Sequence, residues 1–136
     1  LFRSLIELCL LKCISLKSLP PDIGSLRHLE DLNMMKCKNV KEIPRSIGCC
    51  EFLALLDLRN CKSLPSIPDE LGSLSRLRIL QLSDCSGIVE IPELIGDLPK
   101  LEVFEFRNCT SLKSIPPSCS KFVESGTTLK NEISDD

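Results

Sequence analysis

Nine cysteines and one histidine, His28, are the residues of widest chemical reach in this chain of 136 residues. Thiolates can ligate zinc, pair as disulfides or act as nucleophiles. Zinc sites commonly use C-x2-C pairs, and the chain contains none. Cys49 and Cys50 are adjacent, but no histidine is placed to activate them. Five of the cysteines, Cys13, Cys37, Cys61, Cys85 and Cys109, lie 24 residues apart. One residue type fixed to one period fills one structural slot, so these thiols stack in a column with parallel side chains. Adjacent strands lie ~4.8 Å apart, yet a disulfide also needs converging Cβ vectors. The column is therefore expected to be buried, reduced and weakly hydrogen-bonded to loop main chain. Gly24, Gly48, Gly72 and Gly96 come one per period and read as turn residues rather than a phosphate loop. Asn108-Cys109-Thr110 matches a glycosylation sequon, but Cys109 belongs to the buried column, and the match reads as coincidence. No catalytic residue, metal site or cofactor is expected.

What positions the cysteines is a unit best seen from Leu53 to Arg76, LALLDLRNCKSLPSIPDELGSLSR. Leucine recurs at 5, 29, 53, 77 and 101, and proline at 20, 44, 68, 92 and 116. Three residue types locked to one period of 24, without insertion, signal a solenoid. Leu5, Leu8 and Leu10 suit a short strand with one buried face. Leu19-Pro20 then commits the chain to extended geometry. The return through Ile23, Gly24 and Leu26 is too short for a long helix and predicts a 3₁₀ or irregular segment. Met34 and Cys50 replace leucines with other apolar groups, so the core should survive. Phe104 and Phe106 stand where leucines mostly stood and should alter packing at the last strand, closing the stack. The pattern slips at Ser120, in the glycine slot, and fails after Phe122. Repeats starting near 5, 29, 53, 77 and 101 thus predict one domain over 1–122, with a polar tail over 123–136 expected to be disordered. Phe2 falls in the slot of Leu26, so the sequence reads as starting partway through a repeat of a longer protein.

Composition narrows the partners. Charged residues are 26% and the formal net charge is -2, which gives no general reason to bind nucleic acid or an anionic membrane. Trp and Tyr are absent, which argues against base-stacking platforms. No apolar run has the length of a membrane span. Nucleic acid, membrane and small-molecule substrates are all unexpected.

The unit L-x-x-L-x-L-x-x-C-x-x-L-x-x-I-P-x-x-I-G-x-L resembles the leucine-rich repeat, with cysteine in its ladder slot. The resemblance covers Leu5 to about Phe122. It implies an α/β solenoid of about five right-handed coils. A short parallel sheet would line the concave face, with 3₁₀ or irregular segments on the convex face. Plant extracellular repeats carry Asn in the ladder and a glycine two residues before the Ile. Here that glycine slot holds Lys17, Lys41, Pro65, Val89 and Lys113. The forms CKSLPSIPDELGSL and CSGIVEIPELIGDL look like the repeats of plant intracellular nucleotide-binding immune receptors. That resemblance implies a cytoplasmic sensor that restrains a nucleotide-switch domain. No Walker-type motif is present, so nucleotide binding does not carry over. The uniform repeat length also fits Ras-group-like signalling scaffolds. An extracellular ectodomain, an engineered array or the substrate-recognition arm of an enzyme such as a ubiquitin ligase are further readings.

Function in such a scaffold lives in outward residues. The third slot reads Glu7, Asp31, Leu55, Ile79 and Val103. The fifth reads Cys9, Asn33, Asp57, Gln81 and Glu105, and the seventh Leu11, Met35, Arg59, Ser83 and Arg107. An apolar strip edged by charge suits a protein partner. It also suits three aliphatics that simply cover one another across strands. The candidate protein-binding residues on the concave face are Asp31, Asn33, Leu55, Asp57, Arg59, Ile79, Gln81, Val103, Glu105 and Arg107. Neither Asp57 nor Glu105 sits in an interior slot, so reversing both charges is expected to leave the fold intact. Lys12, Lys17, Lys36, Lys38, Lys41, Lys62 and Lys113 form a basic edge beyond the strands, expected to be a solvated rim.

Overall fold

A computed structural model describes residues 4–123. Phe2 and the tail from 124 onward lie outside the described residues. The chain winds five times. Each turn lays down one three-residue strand: β1 Glu7–Cys9, β2 Asp31–Asn33, β3 Leu55–Asp57, β4 Ile79–Gln81 and β5 Val103–Glu105. The strands are parallel and follow chain order, so each coil pairs only with its sequence neighbours. Register is strict: Leu8, Leu32, Leu56, Leu80 and Phe104 stand opposite one another. The opposite side carries only 3₁₀ segments: η1 Ile23–Ser25, η2 Arg45–Cys49, η3 Asp69–Ser73, η4 Ile95–Asp97 and η5 Pro117–Phe122. With the return limited to a few residues after Ile-Pro, no α-helix can form.

Leucine, isoleucine and cysteine slots converge on one continuous core between sheet and 3₁₀ segments. In the inner coils Leu32, Met34, Cys37, Leu56, Leu58, Cys61, Leu80, Leu82 and Cys85 are wholly buried. The first coil differs. Its equivalents Leu8, Leu10 and Cys13 are only half-buried, and Ile6, Leu11 and Ile14 are exposed. At the other end Phe104 and Phe106 are buried, with ring centroids 4.8 Å apart. Phe122 meets Phe104 edge-on at 5.8 Å. The large rings close the last coil, as their place in the fifth repeat suggests.

The cysteine column is built as expected. All nine cysteines are free thiols. Four of the five ladder thiols donate to a main-chain carbonyl of the preceding coil: Cys37 to Leu10 at 3.0 Å, Cys61 to Met34 at 3.2 Å, Cys85 to Leu58 at 2.8 Å and Cys109 to Leu82 at 3.2 Å. A carbonyl turned inward for this turn would otherwise be left half-satisfied in an apolar core. Burial pushes the thiols of Cys50 and Cys109 up to about 11 and that of Cys61 up to about 12, and raises Cys85 as well. Reactive thiolate is therefore suppressed inside the stack. Iodoacetamide added to the folded protein at neutral pH is expected to label the exposed Cys9 and Cys49 first and the half-buried Cys13 later. Cys37, Cys61, Cys85 and Cys109 should react only after denaturation. Peptide mass spectrometry checks this order, and early labelling of Cys61 or Cys85 would contradict a closed core.

Two slots correct the turn chemistry expected from sequence. The left-handed backbone falls on Lys12, Lys36, Asn60, Asp84 and Asn108, with φ of 60°, 64°, 62°, 65° and 58°. Asn and Asp adopt this region more readily than Lys, but no glycine occupies it. Gly24, Gly48, Gly72 and Gly96 instead sit in or beside 3₁₀ segments that press on the next coil. A Cβ on Gly48 would lie 2.8 Å from the Glu70 carbonyl oxygen, and one on Gly72 would lie 2.8 Å from Leu94 Cβ. On Gly96 it would strike the Ser118 main chain. The glycines answer to close approach between coils. Ser120, in the same slot of the fifth repeat, is exposed and so tolerates a side chain. Gly96→Ala is expected to cost ~1–3 kcal/mol through overpacking, whereas Ser120→Ala should leave the urea midpoint almost unmoved. Equal effects from the two would refute the spacing role.

Candidate functional site

Every candidate residue named from sequence falls on the sheet or at its exit. Asp31 and Asn33 lie on β2, Leu55 and Asp57 on β3, Ile79 and Gln81 on β4, and Val103 and Glu105 on β5. Arg59 and Arg107 follow two residues after strands β3 and β5. Register sets Glu7, Asp31, Leu55, Ile79 and Val103 in one row across the strands. A second row holds Cys9, Asn33, Asp57, Gln81 and Glu105. The period-two alternation of the strand turns both rows away from the core leucines.

The apolar strip is continuous. Leu55, Ile79 and Val103 are consecutive cross-strand partners, each half-buried. They do cover one another, yet their outer surfaces stay open. Toward the first coil the same row turns acidic. Glu7 and Asp31 stand directly opposite in register. Partial burial, then Glu7 and then Asp57, raise the Asp31 carboxyl above its ordinary range. Among the described residues neither Glu7 nor Asp31 has a side-chain hydrogen bond or an ion pair. Glu7 was not among the candidates, although its slot identified it.

The second row serves structure as well as surface. Asn33 Oδ1 accepts the Met35 N–H at 2.9 Å, and Asp57 Oδ1 accepts the Arg59 N–H at 3.1 Å. This local bond caps the turn after the strand. Asp57 goes further. It is 5% exposed and takes Arg59 as a two-pronged ion pair, with Nη2 2.6 Å from Oδ2 and Nε 3.0 Å from Oδ1. The hydrogen bond to Asp57 raises the Arg59 guanidinium above its ordinary value, with Glu105 adding to it. Asp57 is thus not the freely exposed position that its slot suggested. Arg59 folds over it and seals it from water. One coil later Ser83 is buried and its Oγ accepts the Arg107 N–H at 3.2 Å. Sequence gave no sign of this role, because serine in a variable slot reads as surface. Gln81 Oε1 is buried between these groups with no hydrogen-bond donor among the described residues.

Other chemistry finds no assembly. The lysines of the expected basic edge are exposed, apart from the half-buried Lys36, and form no ion pair among the described residues. A groove of about 830 Å³ opens on the convex flank, lined by Asp22, His28, Ser46, Cys49 and Glu51 among others. No hydrogen bond joins His28 to Cys49 among the described residues. The His28 ring instead stacks on Phe52 at 5.5 Å, and the Arg76 guanidinium lies 4.1 Å from the Phe52 ring. No group of three or more His, Cys, Asp or Glu among the described residues could hold a metal ion. Among the described residues no helix is long and apolar enough to cross a membrane.

No protein-family model and no curated protein sequence matches the chain. Solved structures do. A chain of the BIR3–SERK2 complex from Arabidopsis thaliana superposes with a TM-score of 0.62 at 22% identity, over 83% of this chain and 60% of that one. The leucine-rich repeat domain of the type III effector XopL gives 0.49 at 22% identity, over 83% and 56%. A leucine-rich repeat protein of T. pallidum gives 0.49 at 19% identity, over 82% and 51%. The chain thus spans little more than half of each of these proteins. Coil, register and superposition together show that this chain has the leucine-rich repeat solenoid fold.

Proposed function

We propose that the chain is a non-enzymatic module that binds a protein partner on its concave face, as the repeat segment of a plant intracellular immune receptor. The observation that carries the binding reading is the Leu55–Ile79–Val103 strip. It is an apolar row held open by the sheet and edged by Asp31, Gln81 and Glu105. Such a surface offers area to desolvate and polar groups to fix register. The structural neighbour with a TM-score of 0.62 was itself solved as a complex of two proteins, which supports a protein partner. The receptor assignment rests on the C-x-x-L-x-x-I-P-x-x-I-G-x-L form of the repeat. The unvarying period of 24 favours a second reading, a signalling scaffold of the Ras-group-like kind.

The test is a pull-down from plant cytosol, with Ile79→Glu as the control. Ile79 points outward, so the variant should keep its circular dichroism spectrum while charging the centre of the strip. Capture of a nucleotide-switch domain, lost with Ile79→Glu, is the expected result. Kinases or small GTPases captured in its place would support the scaffold, and ligase components the substrate-recognition arm. Capture unaffected by Ile79→Glu would move the functional face elsewhere.

A further inference from the structure

The row Glu7, Asp31, Leu55, Ile79, Val103 is polar at one end and apolar at the other, and its charge is one-sided. Among the described residues three carboxylates pair with cations. Asp57 has Arg59, Glu102 has Arg78 at 3.2 Å, and Glu70 has Arg45 at 3.9 Å. Glu7 and Asp31 are in-register neighbours of like charge, an arrangement that costs stability on a sheet. Among the described residues no cation is paired with either. Asp31 is half-buried, so its charge is partly stripped of water as well. A cation from another molecule would relieve both costs. Three aliphatics then continue the row.

The spacing of the row selects a partner geometry. Strands lie ~4.8 Å apart, so the midpoint of the acidic pair is ~7 Å from Leu55 and ~14 Å from the midpoint of Ile79 and Val103. Side chains on one face of an extended peptide recur every two residues, about 6.8 Å. We propose that the concave face takes an extended segment of a partner protein lying along the solenoid axis, with a Lys or Arg seated over Glu7 and Asp31 and apolar side chains two and four residues away on Leu55 and on Ile79–Val103. This rests on the concave face being the binding face and adds the chemistry of what it binds. The cation supplies specificity and on-rate through complementary charge. The aliphatic row supplies the desolvated area.

The experiment is selection of random twelve-residue peptides displayed on phage against the immobilised chain, followed by titration of the best synthetic peptide by fluorescence anisotropy. The expected result is enrichment of a basic residue with apolar residues two and four positions away. Glu7→Gln with Asp31→Asn should weaken that peptide at least tenfold. Added salt should weaken binding to the parent chain and have much less effect on the doubly substituted one. Glu7→Lys with Asp31→Lys should abolish binding. Ile79→Glu separates the two levels of the proposal. If it abolishes binding while neutralising Glu7 and Asp31 changes nothing, the face is right and the cation assignment is overturned. If binding survives Ile79→Glu, the concave face is itself wrong. Apolar residues at spacings of three and four would overturn the extended form in favour of a helix. A selection yielding no enriched peptide also overturns the proposal.

Discussion

Cys61→Asp is expected to unfold the central coils at neutral pH. Cys61 is wholly buried, and its thiol donates to the Met34 carbonyl at 3.2 Å. A carboxylate has no proton to donate and would bring its charge against that carbonyl oxygen. The site already disfavours negative charge, since burial foremost pushes the thiol up to about 12. Keeping an aspartic acid of ordinary pKa ~3.9 protonated at pH 7 costs ~4 kcal/mol, and burying it ionised without a partner costs more. Either is a large part of the ~5–15 kcal/mol by which a domain is stable. The sign with pH follows. The folded pKa of the new carboxyl lies above its unfolded value, so the penalty is absent below the unfolded value and grows as pH rises toward the folded one. Urea melts should therefore show the variant nearest its parent near pH 4 and farthest at pH 7. Cys61→Ser, which keeps a donor, should lose far less. A Cys61→Asp chain as stable as its parent at pH 7 would sink the buried-ladder account.

Asp57→Lys is the second large effect, and it reverses what the slot pattern suggested. Removing one partner of a covered ion pair strands the other, typically at 3–5 kcal/mol when the pair is fully buried. Here Asp57 is 5% exposed but the Arg59 side chain is 39% exposed, so part of the loss is screened by water. A cost of about 2–4 kcal/mol is expected by that principle for the charge reversal, which also removes the cap on the Arg59 N–H. Glu105→Lys, in the same row two strands away, should change stability by less than about 0.5 kcal/mol. Chemical denaturation of the two single variants distinguishes them. Near-equal effects would mean that Arg59 does not seal Asp57 in solution.

These two residues show how far the pattern of the sequence reaches. Periodicity located every strand, the closed cysteine column and the 3₁₀ returns, because those are properties of slots repeated several times. It placed Leu55, Ile79 and Val103 side by side for the same reason. It could not show that Arg59 folds back on Asp57, or that Ser83 holds the Arg107 N–H, since these contacts occur once and depend on side-chain conformation. Glycine misled in an instructive way. Its freedom of φ is its familiar property, but in this chain its lack of a Cβ is what the structure uses. The left-handed position next to the ladder is taken by Lys, Asn and Asp, so the residue type alone did not identify it.

The glycine column has a consequence for the arc of the whole molecule. On the sheet side, hydrogen bonding fixes the pitch between coils at ~4.8 Å. On the far side nothing comparable fixes it, and the distance is whatever Gly24, Gly48, Gly72 and Gly96 allow their neighbours to close to. The difference between these two pitches is the bend per coil. Missing methyl groups on the back of the solenoid therefore act as a ruler for the radius at its front. A chain with alanine at all four positions would be a tighter horseshoe if it folded, with the rows of the concave face crowded toward a common centre. The radius of curvature that a partner meets is thus written in residues it never touches.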